Sequence, residues 1–237
     1  MISSISIIYP VYNEEKRLNK TILDLKKFQK KNKFLKKEFI FVNDGSSDNS
    51  ASIIRKKLKK NKNIKIISYH KNKGKGYALK RGIQTAKNKW ILTTDADCSV
   101  SNFQLTNWIN KNYLEEKIFI YFASRNHKFS IVKKKKLRKI VGLMFKFAIR
   151  IFFNIKISDT QCGFKLYKSS VIKKIFKKVS TNGYMHDLEI CLIARKYKYK
   201  IKDLPVRWTH IEESKINFLK DFFKIFFSLF KIFIKKY

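Results

Sequence analysis

Short apolar runs alternate with amphipathic stretches through the first half of this chain, and that alternation leaves few folds open. The runs cover residues 4–9, 38–43, 64–69 and 90–94, each dominated by β-branched or aromatic side chains. Between them, residues 14–30, 48–60 and 76–86 place apolar side chains at helical spacing. Runs this short and this continuously apolar read as strands of a mostly parallel sheet covered on both faces by helices, an α/β fold. Ligands of such sheets bind beyond the carboxyl ends of the strands, so function is sought in the segments that follow each run. The second half is less regular. Residues 118–124 read as a strand ending at Arg125, and 187–197 as a helix carrying Leu188, Cys191, Leu192 and Ala194. Residues 159–168 and 200–208 look extended, with Phe164, Leu166 and Tyr167 suited to a small additional sheet.

The segments after the four strands are PVYNEE (10–15), NDGSSDNS (43–50), HKNKGKGYALKRG (70–82) and DADCSV (95–100). Turn chemistry explains each one singly, with Ser47 or Asp48 the expected N-cap of the following helix. Four at one sheet edge outline a pocket for an anionic, hydroxyl-rich ligand. In DADCSV, Asp95 and Asp97 stand at i and i+2 and project to the same side of an extended chain. Two such carboxylates raise each other's pKa unless a cation lies between them or water solvates them in a loop. An oxygen-only ligand set suits Mg²⁺ or Mn²⁺, which takes one or two carboxylates and leaves its other positions to phosphate and water. A nucleoside diphosphate leaving group requires that neutralisation. Asp44, after a neighbouring strand, is placed to hydrogen-bond a base or ribose, and Gly74 and Gly76 allow backbone to approach a ligand closely.

Lysine accounts for 47 of the 55 basic residues, and the formal net charge is +38. A surface so basic is drawn to anionic membranes, nucleic acid or phosphorylated substrates. No nucleic-acid-binding motif is present and the charge is spread over the whole chain, so nucleic acid is not expected as a partner. Cys98, Cys162 and Cys191 have no paired spacing, which fits a reducing compartment and excludes a disulfide framework. Cys98 reads as a small buried residue, and His186 and His210 as structural or rim residues. MISSISIIYP reads as a buried first strand, not a signal peptide. No uncharged apolar run reaches the roughly 18 residues of a membrane span. Residues 135–153 and 217–237 are each a helix with one polar stripe: Lys135, Lys139, Gly142, Lys146 and Arg150 in the first, Lys220, Lys224, Ser228, Lys231 and Lys235 in the second. Each is compatible with a packed core helix, an interfacial membrane helix or a dimerising helix, and KKKKLRK (133–139) favours the membrane.

The motifs PVYNEE, VNDGSSDNS, NKGKGYALKRGI, DADCSV, SRN, DTQCGFKLYK and GYMHDLEI…VRW, in this order, resemble those of family 2 inverting glycosyltransferases of GT-A fold. More narrowly they resemble the dolichyl-phosphate β-glucosyltransferase and polyprenyl-phosphate glycosyltransferase branch, with DTQCGFK pointing to the glucosyl members. The resemblance implies a catalytic domain over 1–215, including an interfacial helix at 133–154, followed by a C-terminal amphipathic helix at 216–237. It implies that Pro10, Tyr12, Glu14, Asp44, Gly74, Lys75, Gly76 and Asp95 bind the nucleotide, and that Asp95 and Asp97 hold Mg²⁺ or Mn²⁺. Arg125 and Gln161 would lie near the sugar or the acceptor phosphate. Asp187 and Glu189, at the start of a helix, would orient the acceptor or serve as a base, unless both are simply first-turn acids favoured by a helix dipole. After DAD this chain has Cys98-Ser99-Val100, where the glucosyl branch usually has a Gly-containing segment. The expected reaction moves glucose from UDP-glucose to a polyprenyl phosphate at the cytoplasmic face of a membrane. The branch's eukaryotic members carry an N-terminal span, which is not seen here, so attachment would fall to the striped helices. Two alternatives are mannosyl transfer from GDP-mannose, and transfer to a glycan or lipid hydroxyl in cell-envelope polysaccharide or glycolipid synthesis.

Overall fold

The structure is a computed structural model that describes residues 2–133, 157–211 and 231–235, together with Phe153 and Leu229. Its elements are β1 (Ser4–Val11), α1 (Glu15–Lys31), β2 (Lys36–Asp44), α2 (Ser50–Leu58), β3 (Ile64–Tyr69), α3 (Lys75–Thr85), β4 (Trp90–Thr93) and α4 (Phe103–Asn110). There follow β5 (Ile120–Ser124), β6 (Ile131–Lys133), β7 (Lys165–Lys168), α5 (Ser169–Phe176), α6 (His186–Lys196), β8 (Ile201–Pro205) and β9 (Arg207–Thr209). A seven-stranded sheet has the order β3-β2-β1-β4-β7-β5-β8, and β6 pairs with β9 beside it. All neighbours in the large sheet are parallel except β7, which runs antiparallel to both β4 and β5.

The strand pleat sorts side chains to two cores. On β1, Ile5, Ile7 and Tyr9 join one buried cluster with Leu18, Ile22, Leu25 and Phe28 of α1 and Leu105 and Trp108 of α4. Ile8, pointing the other way, joins a second cluster with Ala78, Leu79 and Ile83 of α3 and residues of α5 and α6. Burial on both faces is why these strands read as continuous apolar runs. Pro10 is tolerated in this central strand because β4 stops opposite Ile8, so no ladder bond is missed on that side. Phe153, Ile157 and Leu229 pack on the second cluster, and Ile232 is buried in it. The remainder of both striped helices, and with it the choice between core, membrane and dimer readings, lies outside the described residues. Among the described residues, no helix is long and apolar enough to cross a membrane.

Three details differ from the sequence expectation. Leu166 and Tyr167 do not form a separate small sheet but lie in β7, at the centre of the main one. Residues 159–164 are not a strand; they lead over the end of β4. The residue that precedes α2 is Asn49, not Ser47 or Asp48, and it makes no side-chain cap bond; the carboxylate of Asp48 accepts instead from Ser50 N at the helix start and from Glu15 N of the neighbouring loop.

Candidate active site

The antiparallel strand β7 builds the site. Its first residue, Lys165, pairs with Thr93 of β4 and Phe122 of β5. The chain before Lys165 therefore runs past the carboxyl ends of both strands, bringing Asp159, Gln161 and Gly163 over DAD and Ser124-Arg125. Gly163 accepts a hydrogen bond from Thr93 Oγ1 at 3.2 Å through its carbonyl. A Cβ added at Gly163 would stand 2.3 Å from Asp95 Oδ2. The Asp95 carboxylate therefore lies flat against the glycine backbone. On its other side is Lys75, whose Nζ is 2.5 Å from Oδ1.

Asp97 lies beside Asp95 and accepts a hydrogen bond from Ser99 N at 2.8 Å. Burial, and then the Asp95 charge, push the Asp97 carboxyl above its ordinary value. The pair thus carries excess negative charge that Lys75 does not fully relieve. This is the condition under which a divalent cation fits, and two carboxylates suffice when phosphate and water complete the shell. Among the described residues, no group of three or more His, Cys, Asp or Glu side chains could hold a metal without such help. Cys98, at the next position, has φ +57°, and burial followed by the Asp24 charge pushes its thiol up to about 12. A protonated thiol is no nucleophile.

The other loops at this edge brace one another. Asp44 is buried and accepts from Asn72 Nδ2, Lys73 N and Gly74 N at 2.8–2.9 Å. It thereby fixes the turn that opens α3. Gly74 has φ +98°, and Cβ atoms at Gly74 or Gly76 would meet carbonyl oxygens of 181–183 at 2.5–2.7 Å. The backbone that approaches these glycines is that loop. Glu189, fully buried, holds the loop in place by accepting from Ser180 and Thr181 backbone and hydroxyl groups. Glu14 pairs with Arg17, Tyr12 is 42% exposed at the rim, and Asn13 Oδ1 accepts from Ser47 N at 2.8 Å to tie the first loop to the second.

Arg125 Nε and Nη2 donate to Asp159 at 2.7 and 2.8 Å, and its guanidinium lies 5.6 Å from the Trp208 ring centre. Gln161 Nε2 is buried and, among the described residues, has no hydrogen-bond partner. A buried donor left so costs about 1–3 kcal/mol, which an anionic ligand at this spot would recover. Asp187, 4% exposed, forms an ion pair with Lys165, and His186 Nε2 stands 3.1 Å from the same carboxylate oxygen. Burial opposes the Asp187 charge, but His186 and Lys165 outweigh it and hold the carboxyl well below its usual range. Lys165 was not singled out in the sequence. The available signal was its spacing: it shares a strand face with buried Tyr167, and a lysine there requires an acid.

Residues 6–176, more than half of the chain, match the family described as Glycosyl transferase family 2. The chain belongs to glycosyltransferase family 2. Among its relatives is a dolichyl-phosphate beta-glucosyltransferase of Trichomonas vaginalis, 36% identical, with 90% of this chain and 68% of the relative covered. A human enzyme of the same name is 32% identical, covering 90% and 69%. The transferase also resembles solved GT-A structures. Mannosyl-3-phosphoglycerate synthase from Rubrobacter xylanophilus superposes with a TM-score of 0.71 at 15% identity, covering 98% of this chain and 74% of that one. Glucosyl-3-phosphoglycerate synthase from Mycobacterium tuberculosis, in complex with Mn²⁺, uridine diphosphate and phosphoglyceric acid, gives 0.69 at 13%, covering 92% and 74%. The expected fold class, family and enzyme class are thereby established.

One prediction follows for this transferase. Alanine at Gly163 is cheap for stability, since the atoms nearest the new methyl group all belong to the Asp95 side chain, which can swing aside as a whole. It is costly for transfer, because Asp95 then leaves its place between Lys75 and Asp97. Gly163→Ala is expected to melt close to wild type and to lose about 100-fold in kcat/KM, read by thermal denaturation beside a transfer assay.

Proposed function

We propose that this transferase moves glucose from UDP-glucose to the phosphate of a polyprenyl lipid, with inversion, while peripherally bound at the cytoplasmic face of a membrane. The observation that carries the choice of acceptor is the state of Asp187. A hydroxyl acceptor needs a general base poised near neutral pH, and the pairing of Asp187 with Lys165 and His186 keeps it ionised far below that range. A lipid monophosphate needs none, since its second ionisation lies near ~6. Its oxygen attacks the anomeric carbon, forming the new C–O bond as the bond to the diphosphate breaks. Gln161 Nε2 and the Arg125 guanidinium, backed by Trp208 and Asp159, receive the acceptor phosphate. Asp95 and Asp97 would hold Mg²⁺ or Mn²⁺, which supplies charge neutralisation for the departing diphosphate. Relatives named dolichyl-phosphate beta-glucosyltransferases support glucose and a prenyl acceptor. The net charge of +38 supports an anionic membrane as the working surface.

The test incubates purified protein with Mn²⁺ or Mg²⁺, polyprenyl phosphate and a panel of radiolabelled sugar nucleotides. Label is expected in the prenyl lipid from UDP-glucose. Label only from GDP-mannose would change the donor, and no labelled lipid from any donor would sink the proposal. The rate is expected to rise with pH through about 6 as the acceptor ionises. Asp187→Asn should slow transfer without moving that rise.

A further inference from the structure

Lys75 is oddly placed for a helix residue. It is the first residue of α3, where the unsatisfied N–H groups already present positive charge, so a lysine there works against the helix. What holds it is Asp95, 2.5 Å away, with both side chains mostly withdrawn from water. Burial disfavours the ammonium, but Asp95 and then Asp187 overcome this and raise its pKa. The backbone beneath Lys75 cannot shift: Asp44 anchors Lys73 N and Gly74 N, and Gly74 and Gly76 are packed against 181–183. Only the flexible side chain can move, and Asp187 provides a second carboxylate that attracts it.

Resting on the cation site of the proposed function, we infer that Lys75 is a built-in counter-ion that occupies the cation's place at Asp95 until a nucleoside diphosphate binds. An ammonium and a divalent cation compete for one carboxylate. A diphosphate removes the competition, because it gives Lys75 an anionic partner of its own and adds oxygens to the cation's shell. Cation and nucleotide therefore enter as a pair, and the free enzyme binds the cation weakly. Lys75 is thus a positioning residue that couples cation binding to nucleotide binding.

The test measures Mn²⁺ affinity calorimetrically, and free Mn²⁺ by its paramagnetic resonance signal, with and without UDP. Without UDP, Lys75→Met is expected to bind Mn²⁺ about tenfold more tightly than wild type, whereas Lys75→Arg, which keeps the charge, stays near wild type. With UDP the advantage of Lys75→Met should largely vanish, since Lys75 has already left Asp95 in the wild type. A purely long-range charge effect would persist with UDP, and that result overturns the inference. So does equal Mn²⁺ affinity of Lys75→Met and wild type without UDP. If Lys75→Met fails to fold, Lys75→Gln carries the same comparison. If no variant and no wild type binds Mn²⁺ even with UDP, the cation site itself fails; if wild type binds equally with and without UDP, only the role of Lys75 falls.

Discussion

Asp97→Asn is expected to lower transfer by about 10³-fold, the scale of losing one charge stabiliser in a preorganised site, while making the cation-free protein more stable. Both effects have one cause. Asp97 is pushed up by burial and by Asp95, so its folded pKa lies above the unfolded one. Folding then disfavours the ionised form, and above the folded pKa this carboxylate subtracts stability. Asparagine keeps the acceptor oxygen for Ser99 N and removes the charge. A gain of ~1 kcal/mol would raise Tm by about 2–4 °C in a chain of this size. The gain should shrink as pH falls through the folded pKa, where wild-type Asp97 is neutralised by protonation. Melting curves with and without Mn²⁺ plus UDP check this: the two together raise the wild-type Tm by more than that of the variant. A variant less stable than wild type would contradict the electrostatic reading of the pair.

Breaking the Lys165–Asp187 pair carries the largest expected loss of stability. Both groups are almost fully buried, and the Lys165 ammonium also lies 4.7 Å from the Phe122 ring centre. Asp187→Ala leaves the Lys165 ammonium uncompensated in the core, which costs about 3–5 kcal/mol and should drop Tm by roughly 10 °C; Lys165→Met costs less, because His186 still faces Asp187. The double variant Lys165→Met/Asp187→Leu removes both charges and is expected to recover most of that loss, because apolar groups of similar volume replace a buried pair well. If the double variant is as unstable as Asp187→Ala, the pair is not the unit that matters. The folded Asp187 pKa is depressed, so the pair contributes stability above the unfolded value of ~3.9. That contribution is lost only as pH falls through the much lower folded value.

The parallel core of the fold was legible because its signals are local. Each of β1 to β4 shows as an apolar run and each of α1 to α3 as an amphipathic repeat, and their limits agree with the structure within about two residues, the usual spread at element ends. The short helices α4 and α5 were not legible. With eight residues each, they give too few turns for periodicity to stand out. The four loops of the candidate site follow from a rule about sheet edges, and that rule holds for any parallel sheet.

By itself, the sequence determined the sheet, its carboxyl edge and the acidic and glycine-bearing segments there, because strand period and turn chemistry act over a few residues. Only the tertiary structure decided who meets whom. That β7 enters antiparallel between β4 and β5 is a long-range pairing, invisible to any local pattern, and it carries Gly163 to Asp95 and Asp159 to Arg125. The same insertion buries Lys165 against Asp187 and so turns a candidate base into a fixed anion. The glycines of GKG likewise make room for the 181–183 backbone, from a loop about a hundred residues away in the chain. Charge and burial have meaning only between partners, and those partners are set by strand order.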